Sequence, residues 1–207
     1  MRIGLYFGTY NPIHVGHLVI ANYMAEHPGL DQVWLVVSPQ NPLKDRSSLL
    51  KDFHRLALVK EGIENNPKLK SCDIEFTLPK PSYTITTLTH LQQKYPNDEF
   101  ALIMGEDNLR TFHKWYNYEK ILKYHKIFVY PRALTIQEQE ESDSGNSKMR
   151  LDQPNMEHKN ILYCADAPVM KVSSSYIRKC IAEGKDVQYL LTEPVFKYVT
   201  EMHFYKG

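Results

Sequence analysis

No apolar run in the 207-residue chain approaches the ~20 residues that a membrane-spanning helix needs, and the start lacks the charged and apolar regions of a secretion signal. Those absences predict a cytoplasmic protein with no membrane partner. Neither sign of charge is in excess: 25 Lys and Arg stand against 24 Asp and Glu, for a formal net charge of +1. A surface built to coat nucleic acid is excluded, so any polyanion the protein binds must be small and met locally. Cysteine is scarce. Cys72, Cys164 and Cys180 are odd in number and far apart, with no C-x-x-C pair, so they read as reduced thiols in or near the core. Their spacing lacks the ligand pattern of a zinc site, and no protein-held metal is expected.

What is present is alternation. Strand-length apolar runs recur at Ile3 to Phe7, Val33 to Val37, Phe100 to Met104, Ile127 to Tyr130 and Ile161 to Cys164, with helical patterns between most of them. This predicts an α/β fold, a parallel sheet covered by helices, with residues 1–207 forming one domain. Helices are expected over Leu18 to Glu26, Leu49 to Asn65, Thr84 to Tyr95 and Tyr118 to Tyr124. Serines lead into Ser174 to Glu183 and Gly184 follows it, while Pro194 opens a last helix to about Met202. Asp73 to Leu78 reads as one more strand. Thr135 to Asn160 is polar and has no apolar period, so it cannot bury enough surface to offset its ordering; an exposed, partly mobile loop is expected there.

The first strand runs straight into FGTYNPIHVGH, Phe7 to His17. In open α/β sheets, ligands gather at the carboxyl ends of the strands, and the turn after strand one is a favoured place. Gly8 can bring backbone amides close to a phosphate, Pro12 stiffens the turn, and Gly16 clears the start of a helix whose N-terminus carries partial positive charge. His14 and His17 are three apart. In a helical turn they share a face and offer imidazole donors to phosphate oxygens. A Walker-type loop is excluded because no G-K-[ST] follows, and the G-x-G-x-x-G pattern is absent as well.

These residues resemble the H-x-G-H signature of the nucleotidyltransferase superfamily. Three further stretches narrow the acceptor. PSYTITTL, Pro81 to Leu88, ends a strand and opens a helix with Thr84 near its N-cap, and the free amides there suit a small carboxylate. IMGEDNLRTFHKWYNYEKIL, Ile103 to Leu122, puts Gly105 and Asp107 at a strand end, followed by Trp115, Tyr116 and Tyr118, whose faces can stack on a flat heterocycle. VSSSYIR, Val172 to Arg178, places serines at a helix N-terminus and an arginine one turn in, a second anion site. Singly, each has a plainer reading as a cap, core aromatics or a turn. Together, in this order, they resemble the bacterial nicotinate mononucleotide adenylyltransferases over nearly the whole chain, and PVFKYV near the end looks like that family's last helix.

The resemblance implies a Rossmann-like sheet that carries adenylyl transfer from ATP to nicotinate mononucleotide, with Mg²⁺ held mainly through the ATP phosphates. It implies that ATP meets Gly8, Thr9, His14, His17, Gly105, Asp107, Ser174 and Arg178, with His17, His14 and Arg178 catalytic. Thr84, Ile85, Trp115 and Tyr116 are implied to receive the nicotinate mononucleotide. Where the family commonly carries P-P-H-K or P-P-H-R, this chain has SPQNPLKDR, Ser38 to Arg46, and Lys44 is the natural substitute as a phosphate-facing cation. Other readings stay open at this point: a sister enzyme that adenylates nicotinamide mononucleotide or another phosphate monoester, and a nucleotide-binding module without turnover. A homo-oligomer is open as well.

Overall fold

In a computed structural model, residues 1–26, 29–39, 49–132 and 158–206 are described. The apolar runs form strands β1 (Arg2–Gly8), β2 (Gln32–Val37), β3 (Leu69–Cys72), β4 (Glu99–Gly105), β5 (Ile127–Tyr130) and β6 (Ile161–Tyr163). They build one sheet in the order β3-β2-β1-β4-β5-β6, and every neighbouring pair is parallel. A parallel sheet needs a crossover between consecutive strands, which is where the helical patterns go. The described helices are α1 (Val15–Glu26), α2 (Asp52–Ile63), α3 (Thr84–Lys94), α4 (Glu106–Thr111), α5 (Tyr118–Tyr124), α6 (Ser174–Ala182) and α7 (Glu193–Glu201).

Period-two alternation along each strand divides the core into two layers. Val33, Leu35 and Val37 of β2, with Ile103 of β4 and Phe128 of β5, face a layer filled by Ile20, Met24, Leu58, Ile177 and Val195, from α1, α2, α6 and α7. Trp34 and Val36, with Leu102, Met104, Ile127 and Val129, face the other layer, where Leu88, Leu91, Leu109, Phe112 and Ile121 come from α3, α4 and α5 and the turn between the last two. The sheet is therefore covered on both faces, in the Rossmann-like arrangement. Cys72, Cys164 and Cys180 are free and buried, as their spacing suggests. No helix among the described residues is long and apolar enough to cross a membrane.

Two expectations are corrected. Asp73 to Leu78 is not a strand: Ile74–Phe76 is a single 3-10 turn, and the strand is the preceding Leu69–Cys72. The apparent alternation fails because Ile74 packs into one core layer and Phe76 into the other, while the carboxylate of Glu75 is buried between them. PSYTITTL consequently follows a turn rather than ending a strand. Asp107 likewise lies in the first turn of α4, beyond the end of β4 at Gly105. Of the polar stretch Thr135 to Asn160, only His158 to Asn160 fall within the described residues, and Lys44 lies outside them.

β1 and β4 are neighbours whose following helices lie on opposite faces, so a crevice opens between their carboxyl ends. The chain there is held by Arg55 of α2, which is fully buried. Its guanidinium donates to the carbonyls of Thr9 at 2.6 Å, Ser38 at 2.7 Å, Pro39 at 3.0 Å and Leu50 at 3.1 Å, and pairs with Asp52 at 2.6 Å. One side chain thus ties the ends of β1 and β2 to the start of α2. Replacing it by methionine keeps much of the volume but leaves these acceptors bare, at about 1–3 kcal/mol for a buried polar group without a partner. Arg55→Met is expected to lose at least about 3 kcal/mol in urea unfolding; a loss below about 1 kcal/mol would remove the clamp.

Candidate active site

Between the end of β1 at Gly8 and the helical turn that begins at His14, the chain is largely buried and lies outside both sheet and helix, so its carbonyls need other donors. Thr9 is bonded by Arg55, as described. The carbonyl of Asn11 accepts from Arg178 at 2.8 Å, and that of Pro12 from the Ser174 hydroxyl at 2.9 Å. Asn11 is itself buried, and its side-chain oxygen accepts from the Leu50 amide at 3.2 Å and the Tyr205 hydroxyl at 2.8 Å. The start of α6 is thereby fastened onto the turn. Ser173 caps that helix through the amide of Tyr176, which leaves Ser174 to reach across.

Both glycines of the turn are close approaches. A Cβ on Gly8 would stand 2.7 Å from the ring of Tyr10, whose hydroxyl turns back to the carbonyl of Tyr6. A Cβ on Gly16 would stand 2.6 Å from Val172 and 3.1 Å from His14 Nδ1. Gly16 lets α1 begin directly against the strap that leads into α6.

The carbonyl of His14 accepts from the amides of His17 at 2.9 Å and Leu18 at 3.2 Å, so the turn is already helical there. The two imidazoles stack, with centroids 3.7 Å apart and planes 25° from parallel. Each Nδ1 faces the other residue's amide, at 3.3 and 3.4 Å. Each Nδ1 is thus placed as an acceptor, and Nε2 is the ring atom from which each imidazole can donate. Tyr10 meets the His17 ring edge-on at 5.1 Å, and Tyr6 does so at 6.3 Å. His14 is buried, and burial first, then the positive charge of Arg132, lowers its pKa from 6.5 to about 4. At neutral pH it is a neutral donor.

Across the crevice, Gly105 closes β4 and pairs in register with Tyr130 of β5. Tyr130 and Tyr6 share a hydrogen bond between hydroxyls at 3.1 Å, joining the two sides. Asp107 forms an ion pair with Arg132, and its other carboxylate oxygen is buried without a partner among the described residues.

The remaining candidates lie on the other helix layer. Tyr83, not Thr84, occupies the N-cap of α3, and no side chain caps that end. The amides of Thr86 and Thr87 reach the Tyr83 carbonyl, at 2.8 and 3.1 Å. Those of Thr84 and Ile85 belong to the first turn, where the helix itself offers no acceptor. Ile85 and Trp115 pack against the same core layer, and Tyr116, 58% exposed, lies 4.8 Å from the ring of Tyr83, itself 45% exposed. This is an open aromatic surface beside a helix N-terminus. Beneath it, Thr87 donates to the buried Glu75 at 2.7 Å and anchors α3.

The structure brings Gly8, Thr9, His14, His17, Ser174 and Arg178 together, sets Gly105 and Asp107 across the crevice, and gathers Thr84, Ile85, Trp115 and Tyr116 around α3. Sequence reasoning missed Arg55, Glu75 and Arg132. An acidic residue within an apparent apolar alternation was the one available signal for Glu75; Arg55 looks like any helical arginine until its partners are known.

A parallel sheet with this strand order, carrying a histidine turn at its crevice, agrees with the nucleotidyltransferase class that the H-x-G-H resemblance implies. Residues 5–180 match the family model described as cytidylyltransferase-like. The chain is 54% identical over 206 residues to a probable nicotinate-nucleotide adenylyltransferase of Flavobacterium johnsoniae, covering 100% of each. It is 42% identical over 200 residues to one of Bacteroides fragilis, covering 97% of this chain and 92% of that relative. In fold it matches Plasmodium falciparum nicotinic acid mononucleotide adenylyltransferase complexed with NaAD, at TM-score 0.71 and 16% identity over 99% of this chain and 97% of the other. The chain belongs to the nicotinate-nucleotide adenylyltransferases.

The buried neutral His14 makes stability depend on pH. Between about pH 4 and 6.5 the unfolded chain binds the proton that the folded chain refuses, so stability falls as pH drops through that window. The expected contribution is about 3 kcal/mol, fully present above pH 6.5. Urea unfolding at pH 7 and pH 4.5 should show a steeper loss in the native protein than in His14→Gln; equal losses would contradict it.

Proposed function

We propose that this chain joins the AMP moiety of ATP to nicotinate mononucleotide, giving nicotinate adenine dinucleotide and pyrophosphate, a step of NAD biosynthesis in the cytoplasm. Residues 1–207 act as one nucleotidyltransferase domain. The observation that carries the reading is the stacked His14–His17 pair, on a turn that Ser174 and Arg178 fasten through Pro12 and Asn11, in a chain 54% identical to a probable nicotinate-nucleotide adenylyltransferase.

The attacking group is already an anion, a phosphate oxygen of the mononucleotide. No general base is required, and catalysis reduces to positioning and charge stabilisation. That oxygen forms a bond to the α-phosphorus of ATP as the bond to the bridging oxygen breaks, and pyrophosphate leaves with the electron pair. Negative charge grows on the non-bridging oxygens, where the Nε2–H of His17 donates, while His14 donates to the triphosphate. Arg178 spends donors on Asn11 and Ser175, which hold the guanidinium in place, and offers its others to the departing phosphates. Gly8 and Thr9 line the nucleotide turn, with Ser174 beside them, and Gly105 and Asp107 hold the adenylate ribose. Lys44 is proposed as a further cation for the mononucleotide phosphate.

The donors on the triphosphate side are imidazoles, hydroxyls and a guanidinium, and among the described residues no three His, Cys, Asp or Glu come together to hold a metal ion. This set fits a Mg²⁺ carried in on the phosphates, which it would neutralise when bound. On the acceptor side, the amides of Thr84 and Ile85 match a carboxylate, with Trp115 and Tyr116 against the pyridine ring.

Loss of one donor to a developing charge costs about 10²–10³ in rate. His17→Ala should lower kcat by that factor with little change in KM for either substrate; near-native turnover would sink its role. At the acceptor site, a carboxamide would turn an NH₂ toward amide donors. Pyrophosphate release should therefore strongly favour nicotinate over nicotinamide mononucleotide, and equal kcat/KM values would refute the role of the α3 N-terminus.

A further inference from the structure

At the end of the sheet where the strands begin, opposite the histidine turn, lies a cavity of about 460 Å³. Its floor is apolar, made by Leu30, Phe100, Phe128 and Leu162. Its rim is basic: Arg2, Lys123, Lys126 and Lys159 face a single carboxylate, Glu99. Among the described residues none of these four cations is in an ion pair. The neighbouring acids are otherwise engaged, since Asp98 pairs with the terminal amine and Asp31 accepts from the Arg2 amide.

The walls are set rather than loose. The side chain of Arg2 lies along Gly29, with its Nη1 3.3 Å from where a Cβ would stand, so the guanidinium follows the cavity wall. The imidazole of His125 is bonded to the Phe100 carbonyl at 2.8 Å, which fastens the end of α5 to β4. Asn160 donates to the carbonyls of Leu122 and Lys123, so the negative end of α5 is already capped. Tyr124, 67% exposed, stands at the mouth with the Lys123 ammonium 5.0 Å from its ring centre.

Four like charges gathered around one hollow repel each other, and a bound anion relieves that repulsion. A bare inorganic anion would leave the apolar floor uncovered. The volume falls within the range that small-molecule sites occupy. We propose that this cavity is a second ligand site, taking a nucleotide: a flat base over the apolar floor and a phosphate among Arg2, Lys123, Lys126 and Lys159. It is separate from the catalytic crevice. The seven residues of β4 from Glu99 to Gly105 divide the two, a span of roughly 20 Å.

The test is an amide NMR titration of the full chain with AMP, alongside inorganic phosphate, in the native protein and in Lys126→Glu/Lys159→Glu. AMP is expected to shift Arg2, Lys126 and Lys159 in a binding event distinct from any at Gly8 to His17. The double variant should weaken that event by about tenfold or more, while keeping the native spectrum elsewhere and its basal pyrophosphate release. Shifts confined to the histidine turn, or shifts around the cavity unchanged by the double variant, would overturn the site. Inorganic phosphate binding as tightly as AMP would reduce it to a bare anion patch and overturn the nucleotide assignment. Shifts that grow with protein concentration alone would give the cavity to a second copy of the chain. None of these outcomes touches the adenylyl-transfer reading, which rests on the other end of the sheet.

Discussion

A stretch of irregular backbone buried at the end of β1 must have its carbonyls satisfied, and much of the molecule is arranged to do so. Thr9 is met by Arg55, Asn11 by Arg178, and Pro12 by Ser174. The side chain of Asn11 adds Leu50 and Tyr205. Residues separated by up to 194 positions thus converge on one turn. The partners are side chains because the turn, lying beyond the sheet ladder, has no strand beside it to supply amides.

That requirement accounts for how the site's parts keep their places. Ser174 and Arg178 serve the fold by bonding the turn, and the same bonds aim them at the space above it. Stacking and reciprocal amide contacts hold His14 and His17 in a common orientation. Burial keeps His14 neutral, so the permanent positive charge comes from guanidinium groups and helix ends. For the proposed transfer, groups held in this way would need little reorganisation as charge develops.

The sheet divides the chemistry as well as the core. Histidines, α1 and α6 occupy one layer; the aromatic surface of Tyr83, Trp115 and Tyr116 and the start of α3 occupy the other. β1 and β4 meet between them, and the Tyr6 and Tyr130 hydroxyls join across that line. The other end of the sheet has the opposite character, an apolar hollow ringed by lysines and an arginine that form no ion pair among the described residues. A parallel sheet makes such polarity natural, because all its strands point the same way.

Much of this was legible in the residues. Strand runs such as Ile127 to Tyr130 coincide with the observed strand, because burial on both faces leaves an unbroken apolar signal. The spacing of His14 and His17 was readable because local helix geometry alone makes them share a face. The serines before Arg178 marked a helix start for the same local reason. Asp73 to Leu78 misled, since a run of alternate apolar residues looks alike whether it lies in a strand or crosses between two core layers. Arg55, Glu75 and Arg132 were hidden because their roles are set by partners far away in the chain or on other elements. The sequence by itself determined most of the strands and helices, β3 and α4 apart, and where the histidine turn begins, since those depend on near neighbours. Only the tertiary structure decided which carbonyls Arg55, Ser174 and Arg178 satisfy, that His14 is buried and neutral, and that cations from β1, α5 and two connecting segments ring one hollow. Burial and long-range hydrogen bonding depend on how distant segments pack, and no local pattern records that.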